Sequence, residues 1–230
     1  MTRGADETGL YHRGTMTAGE RSGAGRNGGR ERVLETAYRL FSRHGTRAVG
    51  VDRIIAESGV AKMTLYRNFA SKDDLILAFL ELREERWTRA WLQETVASRA
   101  ATPAQRLLAI FDVFGEWFAR DDFEGCSFIN VMLELDDTGS PVRRESVRQL
   151  SEIRGFIAGL AKEAGVDDAD GFARQWHILM KGCIVAAAEG DRQAGARARE
   201  LGTLLLSHHG IAPSPGVPDD PRQELTRGLR

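Results

Sequence analysis

The sequence predicts an all-α fold, and three observations carry that prediction. Apolar residues recur three and four positions apart through almost every segment between residues 30 and 208. No run of alternating β-branched residues competes with that period. Helix start and stop signals then cut the chain into about nine helices: a small head of three and a larger body. The first helix spans about residues 30–44, with Val33, Leu34, Ala37, Leu40 and Phe41 on one stripe and Gly45 as its stop. A short second helix covers 51–58, turning Val51, Ile54 and Ile55 inward, and Gly59-Val60 makes a tight turn. The third, 62–69, buries Leu65 and Phe69 one turn apart. Ser71 and Asp74 form a capping box that opens a long fourth helix to about residue 96.

The body continues with clear signals. Thr102-Pro103, with Gln105 at the third position, opens a fifth helix whose apolar face holds Leu107, Leu108, Phe111, Phe114 and Phe118. Gly125 precedes a short apolar helix, 126–135. Ser140-Pro141 opens a seventh, to about residue 164, and Gly190-Asp191 joins the last two, 170–189 and 193–208. Residues 1–28 are rich in Gly, Thr, Arg and Ser and read as a disordered extension, in which Met16 is an alternative start. Four prolines after position 212 mark 212–230 as a flexible tail. The expected division is therefore 1–28, a head at 29–74, a body at 75–211 and the tail.

Composition narrows the function. An apolar content of 42% supports a sizeable core, and no run approaches the roughly 18 apolar residues of a membrane span, so a membrane partner is not expected. The N-terminus lacks the apolar stretch of a secretory signal, which predicts a cytoplasmic chain. Two cysteines, Cys126 and Cys183, are too few for a disulfide framework, and no Cys-x-x-Cys pair suggests zinc. Adjacent His208 and His209 do not face one way on a helix, and His177 is isolated, so no metal is expected. No phosphate loop or nucleophile elbow appears, so neither a cofactor nor catalysis is expected. Charge is uneven around a net −1. Residues 29–80 carry a net +3 and residues 81–230 a net −5, as a polyanion-binding head on an acidic body would.

The informative stretch is 51–69, a helix, a glycine turn and a second short helix at helix-turn-helix spacing. Ile55, Val60 and Leu65 would lock the two helices, leaving Lys62, Met63, Thr64, Tyr66, Arg67 and Asn68 on the outer face. Spacing alone leaves two readings open: a probe for the major groove, or two core helices whose polar side meets water. The run Val51-Asp52-Arg53-Ile54-Ile55-Ala56-Glu57-Ser58-Gly59-Val60, then Ala61-Lys62-Met63-Thr64-Leu65-Tyr66-Arg67-Asn68-Phe69 and Ser71-Lys72-Asp73-Asp74-Leu75, resembles the DNA-binding head of tetracycline-repressor-like (TetR/AcrR) regulators. The likeness spans about residues 30–80, with buried, turn and polar positions in register.

That resemblance implies double-stranded DNA with a palindromic operator as partner. It places Tyr66 and Lys72 on backbone phosphates, Lys72 beside the free N–H groups of the fourth helix. Thr64, Arg67 and Asn68 would reach base edges, Arg67 a guanine and Asn68 an adenine, or else phosphate; Lys62 would take phosphate or a guanine. Three positions depart from the family pattern. Gly50 stands where Ser or Thr usually caps the second helix, leaving only its backbone N–H for phosphate. Ala61 lacks a capping hydroxyl, worth about 1 kcal/mol. Met63 replaces a frequent Gly and would pack on a thymine methyl or fill a gap.

For the body, the resemblance implies a homodimer whose interface is a bundle of the last two helices from each subunit, with Gly182, Ala186, Leu201, Leu204 and Leu205 as candidates. It also implies an effector cavity. Trp87, Trp91, Phe114, Trp117, Phe118, Met132, Trp176 and Met180 are large side chains at helical spacing, a pattern more often core than ligand site, and the resemblance implies that core and cavity share them. Cys126, Asn130 and Glu134, on a stretch resembling a motif of one branch of the family, would add polar groups, suiting a small, neutral or weakly polar organic effector. The function implied is a ligand-responsive repressor, not an enzyme.

Overall fold

In the computed structural model residues 24–212 are described, and among them there are only helices and connecting turns. α1 is Ala24–His44, α2 Val51–Ser58 and α3 Lys62–Asn68. α4 is one unbroken run, 72–99, made of α-helical Lys72–Arg83, a π-helical Glu84–Gln93 and α-helical Glu94–Arg99. α5 is Pro103–Phe118, α6 Ser127–Glu134, α7 Pro141–Glu163, α8 Ala169–Ala188 and α9 Ala194–His208. Nine helices are thus described. α1 begins at Ala24 rather than near residue 30, so positions 24–28 of the expected disordered extension are helical. The rest of that extension, and all of the expected tail but Ala212, lie outside the described residues.

The predicted caps form. Ser71 Oγ accepts from Asp74 N–H at 3.0 Å while Asp74 Oδ2 accepts from Ser71 N–H at 3.1 Å. Thr102 Oγ1 accepts from Gln105 N–H at 3.3 Å; a further cap that the sequence reading did not name is the Asp168 carboxylate, which accepts from Gly171 N–H at 2.9 Å. Gly45 takes φ +78° and its N–H donates to Phe41 O at 2.9 Å, closing α1 in the left-handed conformation that a side chain would resist. As expected from the residues there, Gly50 and Ala61 cap α2 and α3 without a side-chain bond.

In the head, α1 packs against α2, α3 and the start of α4, burying Leu40, Ile54, Leu65, Phe69 and Phe79 in one cluster. In the body, α5 is the central rod. Ala104, Leu107, Ile110, Phe111, Val113, Phe114 and Trp117 are all buried, so it meets neighbours on more than the one face its spacing predicts. α9 lies close along it. A Cβ on Gly195 would come within 2.9 Å of Gly115 backbone atoms, and one on Gly202 within 2.9 Å of the Phe111 ring. α7 packs on α8, and α6 crosses α7. Gly195 and Gly202 thus let α9 lie close against α5 within the chain.

The long π-helical segment of α4 is the irregular element. Bonds from residue i to i+5 widen the turn, and such segments are rare and mostly single-turn. Here it places Trp87 and Trp91 together, ring centroids 5.3 Å apart, both against Trp117 of α5 at 5.0 and 6.3 Å.

Candidate nucleic-acid interface and effector region

α2, the Gly59 turn and α3 build the exposed probe. Gly59 takes φ +65°, donating its N–H to Ile55 O at 3.2 Å, and the chain reverses onto buried Val60. Leu65 is then 1% exposed and anchors α3 inward. Met63, at 80% exposed, Tyr66, Lys62 and Arg67 face outward. Lys62 Nζ lies 3.8 Å from Asp52, a loose surface pairing in water that leaves the ammonium available. Met63 and Tyr66 are thus the large apolar side chains that α3, seven residues long, leaves exposed.

Two of the predicted readers sit differently. Thr64 is half-buried beneath α1, where a Cβ on Gly29 would stand 2.9 Å from its Cγ2. Asn68 is half-buried too, and its side-chain amide donates to Thr64 O at 2.7 Å, so that donor is committed to its own helix. Lys72 is half-buried at the start of α4. Burial lowers the pKa of its ammonium, while the Glu134 and Asp73 carboxylates oppose that fall. Gly50 is exposed at the start of α2, with nothing within 4 Å of where a Cβ would be. Arg30, at the other edge, stacks over Phe69 with its guanidinium 5.1 Å from the ring centroid.

The supposed polar triad of the effector cavity does not assemble. Cys126 is buried at the start of α6, and burial pushes its thiol pKa up, as an inert thiol would have. Asn130 is exposed, its amide donating to Glu124 O at 3.4 Å. Glu134 instead clamps the head. Its Oε2 accepts from the backbone N–H groups of Thr46 and Arg47, both at 2.9 Å, and from the Thr46 hydroxyl. A Cβ at Gly45 would land on that same carboxylate. The sequence carries no sign of this contact, because it joins the turn after α1 to a residue of α6 that lies 88 positions away.

The apolar candidates divide in two. Trp87, Trp91, Phe114, Trp117 and Phe118 form one aromatic cluster, joined by Phe123. Trp176 belongs to another, stacked on Phe172 at 5.2 Å and tilted on Phe111 at 5.1 Å. Met180 is buried and Met132 half-buried. Trp176 is fully buried with Phe111 and Phe172, which makes it core rather than a free wall. A groove of about 620 Å³ opens along Trp87, Trp91 and Trp117, where α4 and α5 face α1. Phe118 lines a smaller hollow of about 300 Å³. The polar part of the larger groove is charged, with Arg83, Arg86, Glu35 and Asp122 among its lining.

Of the candidate interface residues, Gly182, Leu201 and Leu204 are exposed and Ala186 and Leu205 half-buried. Ile178 and Val185, which the sequence reading missed, join them on the open side of α8, at 67% and 52% exposed. They were legible as positions four and three residues from Gly182. His177 is buried on the opposite side of α8, and burial with Lys181 and Arg154 nearby pulls its pKa down to about 3, a neutral core histidine. Among the described residues no cluster of three or more potential metal ligands occurs and no helix is long and apolar enough to cross a membrane.

Comparison with known proteins agrees with this geometry. Residues 33–79 match the family profile described as bacterial regulatory proteins, tetR family, and residues 103–201 match tetracyclin repressor-like, C-terminal domain. The chain is 23% identical over 155 residues to the HTH-type transcriptional regulator YjdC of Escherichia coli (strain K12), covering 67% of this chain and 81% of that protein. It is similar to the crystal structure of a TetR-family transcriptional regulator from Streptomyces coelicolor, with TM-score 0.72 and 28% identity, over 79% of this chain and 96% of that one. A TetR transcriptional regulator from Chloroflexus aurantiacus gives TM-score 0.68 and 26% identity, over 79% and 96% of the two chains.

Proposed function

The chain belongs to the TetR family of DNA-binding, helix-turn-helix transcriptional regulators, and on that premise we propose that it is a homodimeric repressor whose hold on a palindromic operator is released by a small organic effector. One observation supports the dimer and the DNA face together. Of the eight exposed large apolar side chains among the described residues, Ile178, Val185, Leu201 and Leu204 lie on α8 and α9, and Met63 and Tyr66 on α3. A second copy of α8 and α9 would cover the first four in a four-helix bundle, with Gly182 and Ala186 allowing the axes to approach.

In such a dimer two α3 helices stand about 34 Å apart and enter successive major grooves on one side of the duplex. Lys62, Tyr66 and Lys72 grip phosphate, so affinity falls steeply with salt. Arg67 reads bases, and Met63 offers an apolar contact to a thymine methyl. The head is tied to the body at α4, which runs from Lys72 without a break, and at the Glu134 clamp. A change in the body therefore moves α3. The effector acts only by binding the non-operator spacing more tightly than the operator spacing.

Sedimentation and gel shifts on the DNA upstream of the chain's own gene test this. A dimer with saturable, sequence-selective, salt-sensitive binding is expected, and Leu204→Glu gives a monomer that binds weakly. A wild-type monomer, or binding that ignores sequence, overturns the reading.

A further inference from the structure

The groove between head and body has chemistry of its own. α1 contributes Tyr38 and Ser42 to one wall, and α4 and α5 contribute Arg83, Trp87, Trp91 and Trp117 to the other. Its 620 Å³ falls within the range of small-molecule sites, and the indoles give it flat apolar sides. Two polar atoms here are buried without a hydrogen-bond partner among the described residues, Trp87 Nε1 and Ser42 Oγ. An indole N–H can only donate, so only an acceptor satisfies Trp87 Nε1.

Arg83 makes the same demand. It has no carboxylate within 4 Å among the described residues. Its guanidinium donates to Tyr38 Oη at 3.0 Å and lies 5.8 and 5.7 Å from the Tyr38 and Trp87 ring centroids. The other arginines at the groove are spoken for: Arg86 holds Glu35 through two bonds, Arg120 holds Asp122 through two, and Arg39 holds Glu57. Those pairings also occupy the carboxylates that would attract an organic cation. Glu124 remains, half-buried, with burial raising its pKa against the pull of Arg83, which also helps to lower that of Asp122.

We propose that this groove binds an aromatic acid, its ring against Trp87, Trp91 and Trp117 and its carboxylate on Arg83 and the Trp87 N–H. Such a ligand touches α1 and α4 at once, and it draws Arg83 from Tyr38, one of the contacts by which α4 holds α1, beside the Arg86–Glu35 pair. It is thus placed to alter the angle of head to body without entering the core. That consequence for DNA rests on the effector-release reading above; the binding itself does not.

Calorimetric titration of the full chain with 2-naphthoate, 2-naphthamide and 2-naphthylmethylammonium separates charge from ring. A charge-assisted bond predicts that naphthoate binds about tenfold or more tighter than the amide and the ammonium. Arg83→Met removes that preference and leaves the amide affinity as it was. Trp87→Phe keeps an aromatic face, loses the N–H and weakens naphthoate a few-fold more than it weakens the amide, which guards against an Arg83 variant that folds poorly. The proposal is overturned if the ammonium binds as well as the acid, if Arg83→Met preserves the order, or if none of the three binds at about 1 mM. Gel shifts run with naphthoate divide the two readings. Naphthoate that binds but leaves the DNA complex intact upholds the site and refutes release by an effector there.

Discussion

Replacing Glu134 tests whether head and body are held as one unit. One oxygen of this carboxylate takes three donors, the N–H of Thr46, the N–H of Arg47 and the Thr46 hydroxyl. Thr46 is 2% exposed, so in Glu134→Ala its two donors lose their acceptor where water reaches poorly. A hydrogen bond to a charged group contributes about 1.5–3 kcal/mol, and a neutral one about 1 kcal/mol. The Arg47 N–H is exposed and re-solvates, so its share is small. The two Thr46 bonds share one oxygen and do not add fully, which leaves a loss of about 2–3 kcal/mol. In a chain of this size that lowers the melting temperature by roughly 5–10 °C. Glu134→Gln keeps an acceptor and should lose about 1 kcal/mol. Gly45→Ala supplies the second arm of a cycle, since its methyl meets the Glu134 carboxylate besides straining a φ of +78°. In the Glu134→Ala background only the strain remains, so the two substitutions together cost less than their sum by at least about 0.5 kcal/mol. Urea unfolding followed by circular dichroism measures the parent and the four variants. A Glu134→Ala variant as stable as the parent, or strictly additive costs, would refute the clamp.

Other outcomes follow from the same geometry. Arg67→Ala should weaken operator binding by about 1–3 kcal/mol and relax base choice in a gel-shift selection, while Lys72→Ala weakens all sequences alike and lowers the salt slope by about 1. Asn68→Ala should change base choice less than Arg67→Ala does, because its amide already serves Thr64 O; an equal effect would mean that α3 rearranges on DNA. His177 stays neutral when folded, with a pKa near 3 against an ordinary value of 6.5. The unfolded chain therefore takes up a proton first as pH falls. The stability that His177 contributes is complete above about pH 6.5 and is lost progressively as pH drops towards 3. His177→Gln should flatten that part of the stability profile measured by thermal melts.

What could be read in the chain was whatever depends on near neighbours. Ser71-x-x-Asp74 is a capping box because both partners lie within one turn. The glycine at position 59 and the anchor at Leu65 set α3 because turn chemistry and helical spacing are local. The same holds for the open stripe through Gly182, Leu201 and Leu204. Helical spacing failed where both readings share a period. Trp87 and Trp176 look alike on a helix, yet one lines a groove and the other is sealed between Phe111 and Phe172.

Cys126, Asn130 and Glu134 share a helical spacing, and that spacing suggested one polar cluster; tertiary packing sent them to three places. The pairing of Glu134 with Thr46 was decided by how α6 meets the end of α1, and the Arg83 bond to Tyr38 by how α4 meets α1. Amino-acid order alone determined the nine helices among the described residues and the outward side of α3, because periodicity and caps act within a few residues. Only the folded chain decided which polar groups meet across the junction of head and body, since those groups are 45 to 88 positions apart and meet through packing that no local pattern records.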